Sequence, residues 1–112
     1  MGQVAEQLTI RIAQEFSSTP GSRYKDEGTF SGEEFLKSIL QPKFLQAESE
    51  GVNLLIDLDG AEGYATSFLE EAFGGLARVF TPKRVLKLLE FKSDDEPLLV
   101  EEIKSYIKEA TV

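Results

Sequence analysis

Residues 52–60 read VNLLIDLDG and residues 66–80 read TSFLEEAFGGLARVF, a short apolar run followed by a helical pattern. Val52 to Leu58 carries two consecutive aliphatics, Leu54 and Leu55, between Gly51 and Gly60. That pattern predicts a central strand covered on both faces. Asp57 and Asp59 fall at its C-terminal end, where open α/β sheets place their working surfaces. In the second stretch Phe68, Leu69, Ala72, Phe73, Leu76 and Phe80 recur on one side of a helix, with Glu70, Glu71 and Arg78 elsewhere. Thr66 or Ser67 is the expected N-cap, since a hydroxyl there accepts a first-turn N–H. Gly74 and Gly75 inside a helix cost roughly 1 kcal/mol each against alanine, so close approach of another backbone or tight packing within the domain is expected there.

Outward from this pair the pattern continues. Leu8, Ile10 and Ile12 alternate with Thr9, Arg11 and Ala13, which predicts a half-exposed strand at a sheet edge. Residues 17–30 form a loop, with Pro20-Gly21 marking a turn. Ser31 and Glu34 have capping-box spacing, and Phe35, Leu36, Ile39 and Leu40 supply a helical stripe. Pro42 interrupts that stripe, and a second helical piece with Phe44 and Leu45 runs to Glu50, where Gly51 ends it. Beyond Phe80, Pro82 breaks the helix and Leu86 to Lys92 (LKLLEFK) reads as a strand, with a helical start as the alternative. Asp94, Asp95 and Glu96 precede Pro97, and a last helix carries Leu99, Ile103, Tyr106, Ile107 and Ala110 on one face. Strands alternating with helices argue for one sheet covered by helices, an α/β domain occupying 1–112 with its core at 8–110.

Composition closes several chemistries. The chain has neither cysteine nor histidine, which removes disulfides, thiolate metal sites, a Cys nucleophile and the Ser-His dyad. With 20 acidic against 12 basic residues and a net charge of −8, the average field repels a phosphate backbone, so no nucleic-acid partner is expected. Lys83, Arg84 and Lys87 form the strongest local basic patch and read as a solvated helix face. No apolar run is long enough for a membrane span. The start MGQVAEQLTI lacks the layout of a secretory signal, and Glu6 does not fit a myristoylation pattern beginning at Gly2. A cytoplasmic location is the expectation.

Two resemblances bear on function. Leu54 to Gly60 (LLIDLDG) resembles the first motif of the haloacid dehalogenase-type phosphatases. That resemblance implies Asp57 as nucleophile, Asp59 as acid/base, magnesium between carboxylates, and Asp94-Asp95 as the later acidic pair. Ala61 stands where that family has threonine, and the motif begins halfway along the chain.

The wider pattern is similar to the STAS domain of anti-sigma-factor antagonists, in which a strand leads to an Asp-Ser-Ser/Thr-Gly-Leu-Gly turn that opens a helix. Ala65 falls on the aspartate of that motif, Thr66 on its phosphoacceptor and Ser67 on the second hydroxyl, while Phe68 and Glu70 replace its glycines. The chain more closely resembles a divergent STAS-like family of uncharacterised bacterial proteins. The features that carry this are Pro20-Gly21-Ser22-Arg23, Phe30-Ser31-Gly32-Glu33-Glu34-Phe35, Ile56-Asp57-Leu58-Asp59-Gly60 and Thr66 to Gly75. It implies a single small STAS-like domain, a mixed β-sheet packed with about three to four α-helices.

It also implies a regulatory, signalling role: binding a protein partner, a kinase-type ATPase among the candidates, with phosphorylation at Thr66 or Ser67 as the switch. No cofactor, no metal and no catalysis are expected. The surface around that turn is expected to include Asp57, Asp59, Phe68, Glu70, Glu71, Gly74 and Gly75. Arg23 offers a fork suited to an anion or a partner carboxylate. Glu62, Glu70 and Glu71 set an acidic surround that opposes a phosphate. A structural alternative remains, homodimerisation through the Gly74-Gly75 helix or the C-terminal helix.

Overall fold

In the computed structural model, which describes residues 7–110, the run beginning at Val52 forms strand β2 (Leu54–Asp57) between two parallel neighbours. These are β1 (Leu8–Arg11) and β3 (Leu89–Lys92), giving the order β1-β2-β3 with β1 at an edge, as its alternation predicts. Leu54 lies opposite Leu8 and Leu89, and Ile56 opposite Ile10 and Phe91. The N-terminal stretch read for targeting falls largely on residues 1–6, outside the described residues.

The sheet is covered on one face, which corrects the expectation for β2. Leu54, Ile56 and Leu58 are buried, whereas Leu55 and Asp57 are only partly so. They share their face with Thr9, Arg11, Glu90 and Lys92, a largely polar row. Two parallel crossovers of the same hand, each stepping to the next strand in the same direction, lay both connecting helices on one face. Adjacent aliphatics therefore mark a strand with one face in the core and one partly open, a pattern that local sequence does not separate from double coverage. All three strands run parallel, where a mixed sheet was expected.

Among the described residues, five helices accompany the sheet. Helix α1 is the single turn Ile12–Glu15, and a 3₁₀ turn Lys25–Glu27 lies within the following loop. Helix α2 runs without a break over 32–50, through Gly32–Phe35, a wide π turn at Leu36–Leu40, and Gln41–Glu50. Ser31 Oγ accepts the Glu34 N–H at 3.0 Å, making the Ser31 half of the expected box. Pro42 does not end the helix. Its ring presses on the carbonyl four residues back and it lacks an N–H, and the widened turn just before it absorbs that mismatch. Gly51 closes α2 in the left-handed conformation at φ 70°.

Helix α3 covers 66–80 as Thr66–Leu69, a second π turn Glu70–Gly74, and Gly75–Phe80. Helix α4 (Pro82–Leu88) follows at once and leads directly into β3, so Leu86, Lys87 and Leu88 take the helical alternative and only Leu89–Lys92 is extended. Helix α5 (Leu98–Glu109) buries Leu99, Ile103 and Ile107 against the middle of α3. Fully buried Phe35, Phe44, Phe68 and Phe73 fill the space between helices and sheet. Phe35 lies 5.7 Å from Phe68 and 6.3 Å from Phe73 between ring centres, and Phe73 meets Phe91 of β3 edge-on at 5.8 Å.

Thr81, between α3 and α4, adopts φ 96° and ψ 144°. A β-branched residue there is strained by roughly 1–3 kcal/mol, and its Oγ1 recovers only a long 3.4 Å bond from the Arg84 N–H. Thr81→Gly is expected to stabilise the domain by about 1 kcal/mol, read as a higher midpoint in thermal melts. A lower midpoint would show that the cap outweighs the strain.

Candidate functional site

The end of β2 is tied to the end of β3 by acidic side chains. Asp57 Oδ1 accepts the Asp59 N–H at 3.0 Å, forming the turn that leaves the strand. Asp59 Oδ1 accepts the Asp95 N–H at 2.9 Å, and its Oδ2 accepts Lys92 Nζ at 2.7 Å. Asp95 Oδ2 in turn accepts the Gly60 N–H at 3.1 Å, and Lys92 also reaches Asp94 at 3.0 Å. The Asp95 N–H and the Lys92 ammonium hold the Asp59 carboxyl down to about 2. The same pairing, with Asp59 first and Asp94 second, raises Lys92. Tyr64 donates to the Leu58 carbonyl at 2.8 Å, and burial beside Asp57, Asp59 and Asp95 pushes its phenol up.

These bonds are those of a strand terminus and its loop. Both oxygens of Asp59 are occupied, and a carboxyl titrating near 2 holds no proton to donate at neutral pH. Among the described residues, no group of three or more Asp, Glu, His or Cys side chains converges to hold a metal ion. A folded-state pKa below the ordinary 3.8 makes the Asp59 contribution to stability complete above about pH 4 and lost as the pH falls toward 2. The stability difference between wild type and Asp59→Asn, from melts across that window, is expected to shrink with acid. A difference independent of pH would contradict the pairing.

The start of α3 differs from expectation. The N-cap is Ala65, extended at φ −70° and ψ 141°, and its carbonyl accepts the first helical bond from Leu69 at 3.2 Å. Thr66 and Ser67 are therefore the first and second helical residues, not caps. Alanine has no side-chain acceptor, so it leaves the first-turn N–H groups without a side-chain cap. Thr66 is exposed and Ser67 half-buried. The Thr66 hydroxyl lies beside Tyr106 of α5, whose own hydroxyl donates to Glu102 Oε2 at 2.6 Å. Burial first, and then Glu102, raise the Tyr106 phenol.

One turn further along α3, Glu70 sits between two arginines. Arg23, from the loop before α2, bonds Glu70 Oε1 and lies 3.6 Å from Glu71. Arg78 bonds Glu70 Oε2 at 2.8 Å and lies 3.5 Å from Glu71. Burial pushes the Glu70 carboxyl up, but the bonds from Arg78 and Arg23 outweigh it, and the net shift is downward. The Glu70 hydrogen bond raises Arg23. Arg23 thus finds its carboxylates inside its own chain, and two guanidinium groups neutralise the acidic pair.

Three residues expected on this surface lie inside the molecule. Phe68 is fully buried among Phe16, Phe35 and Tyr64, because the helix turns it onto the sheet. Gly74 and Gly75 are buried as well. A Cβ on Gly75 would stand 2.8 Å from Leu36 Cδ2, and one on Gly74 would meet the ends of Glu70 and Arg78. Side chains, not a second backbone, approach this pair. The true backbone contact is at Gly32, where a Cβ would stand 2.7 Å from the Phe68 carbonyl oxygen. The apolar stripes of α3 and α5 are consumed in the core.

The structure brings Arg23 onto Glu70 and Glu71 and sets Tyr64 beside Asp57 and Asp59, but it does not bring Thr66 to Arg23. Sequence reasoning missed Lys92, Tyr106, Glu102 and the role of Arg78. Helical spacing carried the Arg78 signal, seven and eight residues after Glu71 and Glu70. Nothing local marks Lys92 or Tyr106, which arrive from distant elements. The model of the STAS-like domain of unknown function (DUF4325) matches residues 31–99, more than half of the chain.

The chain belongs to this family.

The family match takes in α2, β2, α3, α4 and β3 of this STAS-like domain. It is narrower than the domain core expected from the sequence, 8–110, and it leaves out Arg23. Comparison with curated proteins and with solved structures returned no match. No helix among the described residues is long and apolar enough to cross a membrane.

Proposed function

We propose that this STAS-like domain is a regulatory module of the cytoplasm, without turnover of its own, whose protein partner reads the first turn of α3. Phosphorylation of Thr66 switches that reading. The observation that carries it is the exposed Thr66 in the uncapped first turn of α3, on the position that resembles the phosphoacceptor of the anti-sigma-factor antagonists. A phosphate there meets free N–H groups at the positive end of the helix dipole. It adds about −1.5 to −2 charges to the surface a partner reads. The acidic surround is weaker than its sequence suggests, because Arg23 and Arg78 occupy Glu70 and approach Glu71. A kinase-type ATPase would transfer the γ-phosphoryl group of ATP to Thr66 Oγ1, releasing ADP and the hydroxyl proton.

Incubating the purified chain with ATP and an extract of its host, then mapping the product by mass spectrometry, tests the reading. One phosphoryl group on Thr66, absent from Thr66→Ala, is expected. An extract that phosphorylates added control substrates but leaves this turn bare would contradict it.

A further inference from the structure

The loop 17–30 joins α1 to α2 and is exposed from Tyr24 to Phe30. Backbone bonds gather its two arms: the Gly21 N–H donates to the Phe30 carbonyl at 3.0 Å, the Gly32 N–H to Ser22 at 2.8 Å and the Glu33 N–H to Arg23 at 2.9 Å. Among the described residues, its ion pairs with α3 come from one side chain, Arg23, which bonds Glu70 and lies 3.6 Å from Glu71. Two features set this closed arrangement near its release. Phe30 sits in the left-handed region at φ 56°, strained for a bulky side chain, and it is 41% exposed, so little burial offsets the strain. Arg23 also shares its carboxylates with Arg78, which bonds the other oxygen of Glu70 at 2.8 Å and lies 3.5 Å from Glu71. A shielded ion pair resists opening because the partner left behind is an uncompensated charge. Here Arg78 stays on both glutamates, so the departure of Arg23 strands neither.

We propose that this loop is a strap that opens and closes over an aromatic surface, with Arg23 as its latch and Arg78 as the counter-charge that lets the latch release. The covered surface is Phe16, at the root of the strap, which Phe30 meets edge-on with ring centres 5.7 Å apart. The Gly21–Phe30 bond ties the arm that carries Arg23 to the arm that carries Phe30, so the two leave together. Phe16 packs in turn 6.1 Å from Phe68, in the first turn of α3, and opening uncovers apolar area beside that turn. Arg23 and Glu70 are only partly shielded from solvent, so water and salt reach the latch and keep it weak. The strap needs no modification of Thr66 and stands apart from the phosphorylation reading.

Amide hydrogen exchange of the full chain, followed by NMR at fixed pH, tests the strap. The Gly21, Gly32 and Glu33 amides report its opening, while those of Ile103 and Ile107 in α5 report unfolding of the whole domain. Arg23→Gln is expected to speed exchange of the three strap amides about three-fold, the population change that loss of one partly exposed ion pair brings, and to leave the α5 amides in place. Arg78→Gln is expected to act in the opposite sense and slow the strap amides by a similar factor, because Glu70 and Glu71 then depend on Arg23 alone. A merely structural ion-pair cluster would loosen in both variants. In the wild-type chain, raising salt from about 0.1 M to about 1 M shortens the screening length from about 10 Å to about 3 Å and should speed the strap amides relative to those of α5. Strap amides that ignore Arg23→Gln or salt, that speed up in both variants, or that change only in step with Ile103 and Ile107 overturn the proposal.

Discussion

Gly32→Ala is expected to destabilise the domain by about 1–3 kcal/mol, although the same change in an ordinary helix is favourable. The added Cβ would stand 2.7 Å from the Phe68 carbonyl oxygen, 3.0 Å from Glu71 Cβ and 3.3 Å from Phe68 Cα. None of these belongs to a flexible side-chain end, so relief requires α2 to move away from α3. That movement would also disturb the bond from the Gly32 N–H to Ser22. Gly74→Ala is the contrasting case, since its Cβ would meet only the mobile ends of Glu70 and Arg78. It should be neutral or mildly stabilising. Urea titrations of both variants check the pair, and a Gly32→Ala midpoint at or above wild type would contradict the close helix contact.

Phe68→Ala should cost about 3–5 kcal/mol, a large share of the roughly 5–15 kcal/mol that holds a domain of this kind folded. The ring is fully buried, with Phe35 5.7 Å, Phe16 6.1 Å and Tyr64 6.2 Å away between centres. Its removal leaves a cavity between α3, α2 and the loop entering α3. Phe68→Leu, which keeps most of the volume, should lose far less. Denaturant unfolding followed by circular dichroism measures both. A near-neutral Phe68→Ala would return this residue to the partner-facing surface on which the sequence pattern sets it.

What was legible in the sequence is what local chemistry determines. Ser31 caps α2, Gly51 takes the left-handed position that ends it, and Leu99, Ile103 and Ile107 form the buried stripe of α5. The features that were not legible depend on distant elements or on small backbone adjustments. A π turn carries α2 past Pro42, and nothing in Leu36 to Leu40 announces it. Leu54-Leu55 suggests a doubly covered strand, but coverage follows from the order of the strands, which is a property of the whole chain. Thr66 has the right chemistry for a cap, yet the chain enters the helix one residue earlier, at Ala65. The glutamates at 70 and 71 read as an acidic surface because Arg23, far away in sequence, gives no local sign that it covers them.

The central claim is that charge at Thr66 governs a protein contact. Wild type, Thr66→Ala and Thr66→Glu, each verified as folded, would be used to capture partners from host lysate, followed by reconstitution of the complex from purified components. The account predicts a stoichiometric complex with wild type and Thr66→Ala that Thr66→Glu loses. A complex formed equally by all three would contradict it.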